Sequence, residues 1–541
     1  MKSVIQDSFC RDHLPLREEW PEFCFDLPEL RYPDQLNAAE ELLTGPLDDR
    51  PCVRGVGEVW SYGDLRQRAA QVAAVLRDDF GLMPGNRVLL RGPNEPWLVA
   101  CWLGVLLAGG VAVTTMPMLR AAEVTAIAEL AQPTVALCHY QFTDALPAGL
   151  TAVAYAGQAE LTIRCAEKGG GFTAVRTAAT DVALLAFTSG TTGRPKATMH
   201  MHRDVLAIAD TFGSHVVQIG PDDVVAGTPP IGFTYGLGGL VVFPLRAGAS
   251  IMLMDRPSPV QLADAAAEYG VTVLFTAPTA YRAIIAAGKV GELVRLRRAV
   301  SAGEPLPAAV WHAIHDATGL RVIDGIGSTE MLHVFVSAAD DDIRPGTTGR
   351  AVPGYRVAVL DDAGAPVPDG TPGHLAVKGP TGCRYLHGDR QTGYVRHGWN
   401  YTGDIYVRDS DGYFTYIARS DDLIVSGGYN IAGTEIEQVL LGHPDVLDCA
   451  VVGIPDHARG TVVAAYVVLR VGAVPDATVL QEFVKQAIAP YKYPRVVEFV
   501  AELPRTSSGK LQRFVLRQQA LNTPENRGDT RQDQRGLTQC S

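Results

Sequence analysis

Apolar and polar positions alternate with two different periods along residues 60–330. Stretches at 62–78 and 260–269 repeat their apolar positions with the helical period, and short apolar runs at 87–90 and 271–276 follow such stretches. Helices that alternate with short buried strands are typical of α/β folds, in which the strands pair in parallel. The pattern therefore predicts a mainly parallel sheet with covering helices.

The texture changes after residue 350. Short β-rich runs at 357–360, 374–378 and 413–417 lie between turns rich in Pro, Gly and Asp, which predicts a small β-barrel or sheet. From residue 434 the pattern is that of a compact α+β unit. Its predicted helices lie near 435–441 and 479–488, and its predicted strands near 446–452, 462–469 and 496–500.

These changes of texture suggest an organisation into domains. We predict an N-terminal domain over residues 1–419, a C-terminal domain over 420–520, and a frayed polar tail over 521–541. The boundary falls at Arg419-Ser-Asp-Asp422, whose charged and flexible residues fit a hinge between domains. An ordinary surface turn is the alternative.

Composition and charge exclude several classes of protein. With 541 residues, 47% of them apolar and 20% charged, the chain is globular and long enough for several domains. Its net charge of -12 argues against nucleic acid as a partner, because phosphate backbones require a basic face. The nine cysteines contain no C-x-x-C pair, which suits a reducing, cytoplasmic location and neither a disulfide framework nor a zinc cluster.

Membrane insertion is also disfavoured. The first 20 residues contain no apolar core of a secretory signal. The uncharged segment 96–119 is long enough to span a bilayer, but Gly109-Gly110 divides it. We expect a buried helix at 97–108 and a buried strand at 111–116, and no membrane partner.

The run TSGTTGRPK at residues 188–196 is the strongest chemical signal. It follows the apolar run 182–187 and combines four hydroxyls, two glycines and a lysine, which suit the oxygens of a triphosphate. It is not a Walker loop, because Lys196 follows Gly193 by three residues and Pro195 resists helix continuation. A kinase or P-loop ATPase is therefore disfavoured, and a solvated turn is the alternative.

Four further motifs are weak when taken singly. DGIGSTE at 324–330 places a hydroxyl beside a carboxylate, which suits phosphate and magnesium, although a helix start is the alternative. YTGD at 401–404 places a carboxylate after a tight glycine turn, which suits a ribose diol or merely stabilises that turn. SAGEP at 301–305 could face an adenine edge, and PRTSSGK at 504–510 carries a lysine on a flexible loop or an ordinary exposed lysine.

His200 and His202 form an H-x-H pair that could ligate a metal from one face of a strand. The sequence offers no third ligand. We therefore expect a structural or capping role for both, and no metal ligand other than Glu330.

Together, in this order and spacing, the motifs TSGTTGRPK, GIGSTE, YTGD, R-x-D-D and PRTSSGK resemble those of the adenylate-forming superfamily, which contains acyl-CoA ligases, peptide-synthetase adenylation domains and luciferases. The resemblance extends from about residue 40 to 517. FTYGLG at 233–238 and GIGSTEMLH at 325–333 resemble the benzoate–CoA ligase branch. The opening, with RDHLP at 11–15 and LPELRY at 27–32, resembles the 2-aminobenzoate (anthranilate)–CoA ligases.

The resemblance implies a large N-terminal domain of α/β subdomains with a small β-barrel-like subdomain, and a mobile α+β C-terminal domain. It also implies two half-reactions: attack of a carboxylate on MgATP to give an acyl-adenylate and pyrophosphate, and then transfer of the acyl group to coenzyme A with release of AMP. The implied triphosphate-binding residues are Thr188, Ser189, Gly190, Thr191, Thr192, Gly193 and Lys196. The implied catalytic residues are Thr329 at the α-phosphate, Glu330 at the magnesium ion, Lys196, and Lys510 between the carboxylate and the α-phosphate.

Other roles follow from the same resemblance. The residues implied for the nucleoside are Gly303, Glu304 and Pro305 at the adenine, and Asp404 with Arg419 at the ribose. Asp421 would be the hinge, and Gly427 and Gly428 would let the pantetheine arm of coenzyme A pass. The acid pocket would contain Tyr235, Ala302, Gly303 and His333. A packing role for His333 is the alternative.

Three positions depart from many relatives. Ile326 stands where they carry an aromatic residue that stacks on adenine, Asn430 where they carry arginine, and Val425 where they carry lysine. A charge contact to coenzyme A or AMP at the last two positions is therefore not expected.

The sequence thus predicts an aryl-CoA ligase that activates 2-aminobenzoate or benzoate. Two alternatives stay open: a stand-alone adenylation enzyme that loads an aryl acid onto a carrier protein, and a nucleotide-binding scaffold without activity. A homodimer, a carrier protein and a downstream enzyme that uses the thioester remain open as partners.

Overall fold

The computed structural model describes residues 4–45, 47–55, 57–189, 195–388, 390–420, 422–426, 429–456, 460–489, 492–505 and 511–522. The α-helices are α1 (Phe9–Asp12), α2 (Ala38–Leu43), α3 (Tyr62–Asp78), α4 (Pro96–Leu107), α5 (Ala121–Ala131), α6 (Glu160–Glu167), α7 (His202–Ile208), α8 (Thr234–Leu237), α9 (Phe243–Ala247), α10 (Pro259–Glu268), α11 (Pro278–Ala286), α12 (Ala308–Thr318), α13 (Gln391–Tyr394), α14 (Gly433–Leu441), α15 (Ala477–Ala487) and α16 (Arg513–Asn522). The strands are β1 (Pro51–Gly55), β2 (Glu58–Ser61), β3 (Arg87–Arg91), β4 (Val111–Thr115), β5 (Val135–His139), β6 (Ala152–Tyr155), β7 (Val182–Ser189), β8 (Pro195–Met201), β9 (Val224–Gly227), β10 (Ser250–Met252), β11 (Val273–Thr276), β12 (Arg298–Ala302), β13 (Val322–Gly327), β14 (Val334–Ser337), β15 (Arg350–Ala351), β16 (Arg356–Leu360), β17 (Gly373–Lys378), β18 (Val395–Arg396), β19 (Trp399–Arg408), β20 (Phe414–Arg419), β21 (Ile424–Ser426), β22 (Tyr429–Ile431), β23 (Val446–Asp456), β24 (Gly460–Leu469) and β25 (Val496–Phe499).

A six-stranded sheet carries the triphosphate motif at one edge. Its order is β6-β5-β3-β4-β7-β8, and every pair is parallel except β7 with β8. Strands β3, β4 and β5 are buried along their whole length, which explains their continuous apolar sequence.

A nine-stranded sheet carries the SAGEP and GIGSTE motifs. Its order is β15-β14-β13-β12-β11-β9-β10-β1-β2. The central strands from β13 to β1 are parallel, and the antiparallel pairs lie at the two ends. The mainly parallel α/β architecture is therefore confirmed. The SAGEP motif begins in the last two residues of β12, and GIGSTE begins in the neighbouring β13 and runs past its end.

Local capping explains why the long helices begin where they do. Ser61 and Asp64 form a capping box at the start of α3, in which the Ser61 hydroxyl accepts the Asp64 N–H and the carboxylate accepts the Ser61 N–H. Ser258 and Gln261 do the same for α10. Helix α3 spans the predicted residues 62–78, because the cap and the amphipathic period agree.

The uncharged segment near residue 100 folds as predicted into buried helix α4 followed by buried strand β4. Gly109 separates them with a φ of +73° and ends the helix. No helix in the described part of the chain combines the length and the hydropathy that a bilayer span requires.

The small β region forms a five-stranded sheet of order β16-β17-β19-β18, in which β20 pairs with β19. By its internal packing the chain divides into two compact units. The first unit comprises Met1–Pro366, Ala376–Thr402 and Asp409–Thr415, and the second comprises Val367–Leu375, Gly403–Arg408 and Tyr416–Ser541.

The last part of the second unit has the α+β texture that the sequence predicts. Strands β23, β24 and β25 form one sheet, in which β23 and β24 are antiparallel. Helices α14 and α15 pack on it through Ile436, Leu440, Leu480 and Val484. Of the tail predicted at 521–541, residues 521 and 522 instead end helix α16, and 523–541 lie outside the described residues.

Candidate active site

The described residues of the triphosphate motif TSGTTGRPK lie on strand β7 and on its antiparallel neighbour β8, the last strand of the six-stranded sheet. Thr188 and Ser189 end β7, and Lys196 lies opposite Thr188 on β8. The chain continues from Pro195 as a strand and not as a helix, as its mismatch to a Walker loop predicts. The intervening candidates Gly190, Thr191, Thr192 and Gly193 lie outside the described residues.

Thr329 and Glu330 follow β13 in a buried turn, and not at a helix start. The Tyr385 hydroxyl donates a 2.6 Å hydrogen bond to Glu330 Oε1. The ammonium nitrogen of Lys196 lies 5.4 Å from the centre of the Tyr385 ring. Burial and the Glu330 carboxylate raise the pKa of Tyr385, so its hydroxyl stays a proton donor. Tyr385 therefore links the predicted triphosphate lysine to the predicted metal ligand.

The H-x-H histidines serve the structure, as expected. His200 Nε2 donates to the Thr329 carbonyl at 2.8 Å, and His202 Nδ1 accepts the Ala38 N–H at 3.1 Å. Desolvation lowers the pKa of His200 to about 4 and that of His202 to about 3, so both are neutral. No group of three metal-ligating side chains occurs in the described part of the chain.

The predicted adenine-lining residues follow strand β12. Gly303 has a φ of +96°, which favours glycine, and Glu304 accepts hydrogen bonds from the N–H and hydroxyl of Thr279. On neighbouring β13, Asp324 Oδ1 is enclosed and has no hydrogen-bond partner among the described residues. Desolvation raises the pKa of Asp324 to about 7. No local pattern in the sequence indicates a role for Asp324.

The predicted acid pocket is lined by aromatic rings. His333 is 3% exposed, and its ring centre lies 4.5 Å from that of Phe243 and 5.4 Å from those of Phe212 and Tyr235. Its Nε2 lies 3.4 Å from the Tyr235 carbonyl, to which it donates, whereas Nδ1 has no partner in the described structure. Desolvation lowers the pKa of His333 to about 3, so the imidazole is neutral.

Two more features shape this pocket. Buried Ala302 pairs with Gly325 across strands β12 and β13. The helix after Tyr235 widens into π-helical turns at Gly238–Val242, where an added Cβ on Gly238 would lie 2.8 Å from His333 Nε2. Periodicity alone gave no indication of Phe212, Phe243 or the π-helical turns.

The YTGD motif differs from its expected form. It lies inside strand β19 and not in a tight turn. Gly403 takes a φ of +78° within this strand, and its carbonyl accepts the Ser420 N–H at 2.9 Å. An added Cβ on Gly403 would lie 2.8 Å from Arg419 Nη2. Arg419 Nη1 donates to buried Asp404 Oδ1 at 3.1 Å, so the two ribose candidates are brought together within the second unit.

Lys510, Asp421, Gly427 and Gly428 lie outside the described residues. Asp422, next to the predicted hinge, accepts a 2.7 Å hydrogen bond from Arg517 Nη1.

The described residues fit MgATP. Glu330 and Thr329 offer hard oxygen donors, which magnesium prefers, and Lys196 supplies a cation for phosphate. The enclosed Asp324 Oδ1, beside the predicted adenine-lining residues, can accept a hydrogen bond that no described residue donates.

Comparison with known proteins agrees with this geometry. Residues 44–385 match the family described as AMP-binding enzyme, and 435–510 match the AMP-binding enzyme C-terminal domain. The chain is 34% identical to the benzoate–CoA ligase of Thauera aromatica, over 91% of this chain and 97% of that protein. It is 32% identical to the p-hydroxybenzoic acid–AMP ligase FadD22 of Mycobacterium tuberculosis, over 88% of this chain and 67% of that protein.

Among solved structures, the anthranilate–CoA ligase AuaEII in complex with anthranoyl-AMP superimposes with a TM-score of 0.86. The two chains are 31% identical, and the match covers 91% of this chain and 99% of AuaEII. Taken together with the arrangement of the described residues, these matches lead to one assignment. The chain is an AMP-forming acid–thiol ligase and belongs to the AMP-binding family of adenylate-forming enzymes, on its benzoate–CoA ligase branch.

Proposed function

We propose that this enzyme activates 2-aminobenzoate or benzoate with ATP and transfers the aryl group to coenzyme A. The observation that carries this proposal is the neutral His333 set among Phe212, Tyr235 and Phe243. A flat aromatic acid suits an apolar slot of aromatic rings, whereas a charged aliphatic acid does not. The similarity to a benzoate–CoA ligase and to an anthranilate–CoA ligase supports the same class of substrate.

His333 also favours a substrate whose aromatic ring carries a hydrogen-bond donor. Its Nε2–H is directed to the Tyr235 carbonyl, so in this tautomer Nδ1 is an acceptor, and no described residue donates to it. A buried acceptor without a donor is costly, and an amino group on the substrate would remove that cost. This favours 2-aminobenzoate over unsubstituted benzoate.

In the first half-reaction, we assign the triphosphate to Thr188, Ser189, Lys196 and the loop between them. Thr329 contacts the α-phosphate, and Glu330 holds magnesium, which neutralises phosphate charge when bound. Lys510 bridges the acid and the α-phosphate. Gly303, Glu304 and Pro305 line the adenine, and Asp404 with Arg419 binds the ribose.

In the second half-reaction, the thiol of coenzyme A attacks the acyl-adenylate and AMP leaves. We propose that the C-terminal domain, residues 420–520, turns about Asp421 between the two steps. This motion withdraws Lys510 and brings the loop with Gly427 and Gly428 to the pantetheine arm. A cytoplasmic location and a homodimer remain predictions from the sequence.

A panel of benzoates tests the substrate. We expect release of AMP that depends on coenzyme A, with 2-aminobenzoate and benzoate above aliphatic acids of similar size. His333→Ala should reduce the preference for 2-aminobenzoate over benzoate and leave the KM for ATP nearly unchanged. A preference for aliphatic acids would refute the proposed substrate class.

The similarity to a p-hydroxybenzoic acid–AMP ligase keeps a second acceptor in view, a carrier protein. Replacing coenzyme A with a phosphopantetheinylated carrier separates the two functions, because only the true acceptor gives rapid thioester formation. A nucleotide-binding scaffold without activity would show no pyrophosphate exchange with any carboxylate. Lys196, Glu330 and Lys510 are all present, which argues against a scaffold.

A further inference from the structure

One hydroxyl outside the sequence-predicted site reaches its predicted metal ligand. Tyr385 is 3% exposed and Glu330 is 8% exposed, and the 2.6 Å hydrogen bond between them joins residues 55 positions apart. A hydrogen bond to a charged carboxylate is short and about twice as strong as a neutral one. It therefore fixes the orientation of the Glu330 carboxylate.

Backbone pairing holds Tyr385 in place. The Tyr385 backbone forms an antiparallel β-bridge with Thr198 on β8. The next residue, Leu386, donates its N–H to the Ala197 carbonyl at 2.9 Å. Lys196 lies on the same strand. The strand that carries the triphosphate lysine is thus paired with the segment that carries Tyr385.

A fully buried glutamine completes the support. Gln391 Oε1 accepts the Tyr385 N–H at 2.9 Å. Its amide nitrogen donates to the Cys383 carbonyl at 3.0 Å and to the Glu19 carbonyl, from the N-terminal segment, at 2.9 Å. The Tyr385 backbone therefore cannot shift without breaking buried hydrogen bonds.

The hydroxyl and the ring of Tyr385 contact side chains of opposite charge. The hydroxyl binds the Glu330 carboxylate, while the ring lies 5.4 Å from the Lys196 ammonium, within cation–π range. We propose that Tyr385 is a positioning residue that orients Glu330 toward the magnesium ion and Lys196 toward the triphosphate. This inference rests on the proposed function, because it requires MgATP as the ligand.

Tyr385→Phe tests the hydroxyl and keeps the ring. The matched control is Tyr155→Phe, which removes a buried hydroxyl that donates to the Arg91 carbonyl at 3.1 Å. ATP binding is measured by calorimetry across a magnesium series, together with Mn²⁺ binding to the enzyme–ATP complex by electron paramagnetic resonance. Loss of a partner of a metal-ligating carboxylate weakens metal affinity by about 10–100-fold. We expect that loss for Tyr385→Phe, and less than a twofold change for Tyr155→Phe.

A double-mutant cycle separates positioning from a general structural effect. If Tyr385 acts through Glu330, adding Tyr385→Phe to the Glu330→Gln variant should cause almost no further loss of Mn²⁺ affinity. A full additional loss in that background, or Mn²⁺ affinity of Tyr385→Phe within twofold of the parent, would overturn the proposal. Failure of the parent enzyme itself to bind MgATP would refute the proposed function instead, so the two failures are distinguishable.

Discussion

Gly238 is the position at which the smallest possible side chain should alter the predicted acid pocket. It lies in the π-helical turns after Tyr235, and an added Cβ would lie 2.8 Å from His333 Nε2 and closer still to Cδ2. Real Cβ atoms almost never approach a heavy atom below 3.0 Å. Because Phe212 and Phe243 pack around the imidazole, either the imidazole or the helix must shift. Either displacement changes the surroundings of His333 in the predicted acid pocket.

Two opposing terms set the size of the effect of Gly238→Ala. Alanine is favoured over glycine within a helix by about 1 kcal/mol. Forcing an extra carbon into a packed core costs about 1–3 kcal/mol. The net destabilisation is therefore up to about 2 kcal/mol, and an equal loss in binding free energy would weaken the acid affinity by about 30-fold. The affinity for ATP should change little, since the clash is with His333.

Pyrophosphate exchange at varied acid and varied ATP measures the two affinities separately, and urea unfolding measures stability. Gly291→Ala is the matched control, because its Cβ would meet nothing within 4 Å and Gly291 is exposed. In a His333→Ala background the obstacle is gone, so Gly238→Ala should be neutral or stabilising by about 1 kcal/mol. Equal destabilisation with and without the imidazole would refute the reasoning.

Three further outcomes are expected. Lys510→Ala should abolish formation of the adenylate but spare thioester formation from supplied acyl-adenylate, and equal loss of both half-reactions would count against the proposed motion. Asp421→Pro should slow the coenzyme A step more than adenylation in single-turnover assays, whereas an unchanged ratio would remove Asp421 as the hinge. The pKa values of His200, His202 and His333 lie near 3–4 in the folded state and near 6.5 in the unfolded state, so the unfolded chain binds more protons in this window. The free energy of unfolding should therefore fall as the pH drops from about 6.5 toward 4. Urea unfolding at pH 7.5, 6 and 5 measures this fall, which should be smaller in His202→Asn than in the parent protein.

Local signals account for what the sequence predicts well. Residues 62–78 form helix α3 because the capping box and the amphipathic period specify the same start and face. Strand β3, Arg87–Arg91, coincides with the predicted run 87–90 to within one residue. A continuous apolar run bounded by polar residues fits a strand that is covered on both faces. The presence of Pro195 predicted that no helix follows the TSGTTGRPK motif, and the chain continues there as strand β8.

Contacts between residues far apart in the sequence account for what it does not predict. Tyr385 reaches Glu330 through the pairing of its segment with β8, and no local pattern encodes that pairing. Gly403 was expected in a tight turn, because Thr-Gly-Asp is common in turns. In the structure Gly403 itself adopts a left-handed backbone conformation within β19, close to the Arg419 side chain. Its role depends on the close approach of that guanidinium, which a single sequence does not reveal.

Strand β8 shows how the predicted triphosphate and magnesium residues are arranged without the helix of a P-loop. In a P-loop, the lysine stands at a helix N-terminus whose N–H groups face the phosphates. Here Lys196 stands near the start of an edge strand, and His200 on the same strand donates to the Thr329 carbonyl. Tyr385, paired with that strand, donates to Glu330. One strand thus fixes the lysine, the hydroxyl and the carboxylate relative to one another, so the strand does the orienting that a helix does in a P-loop.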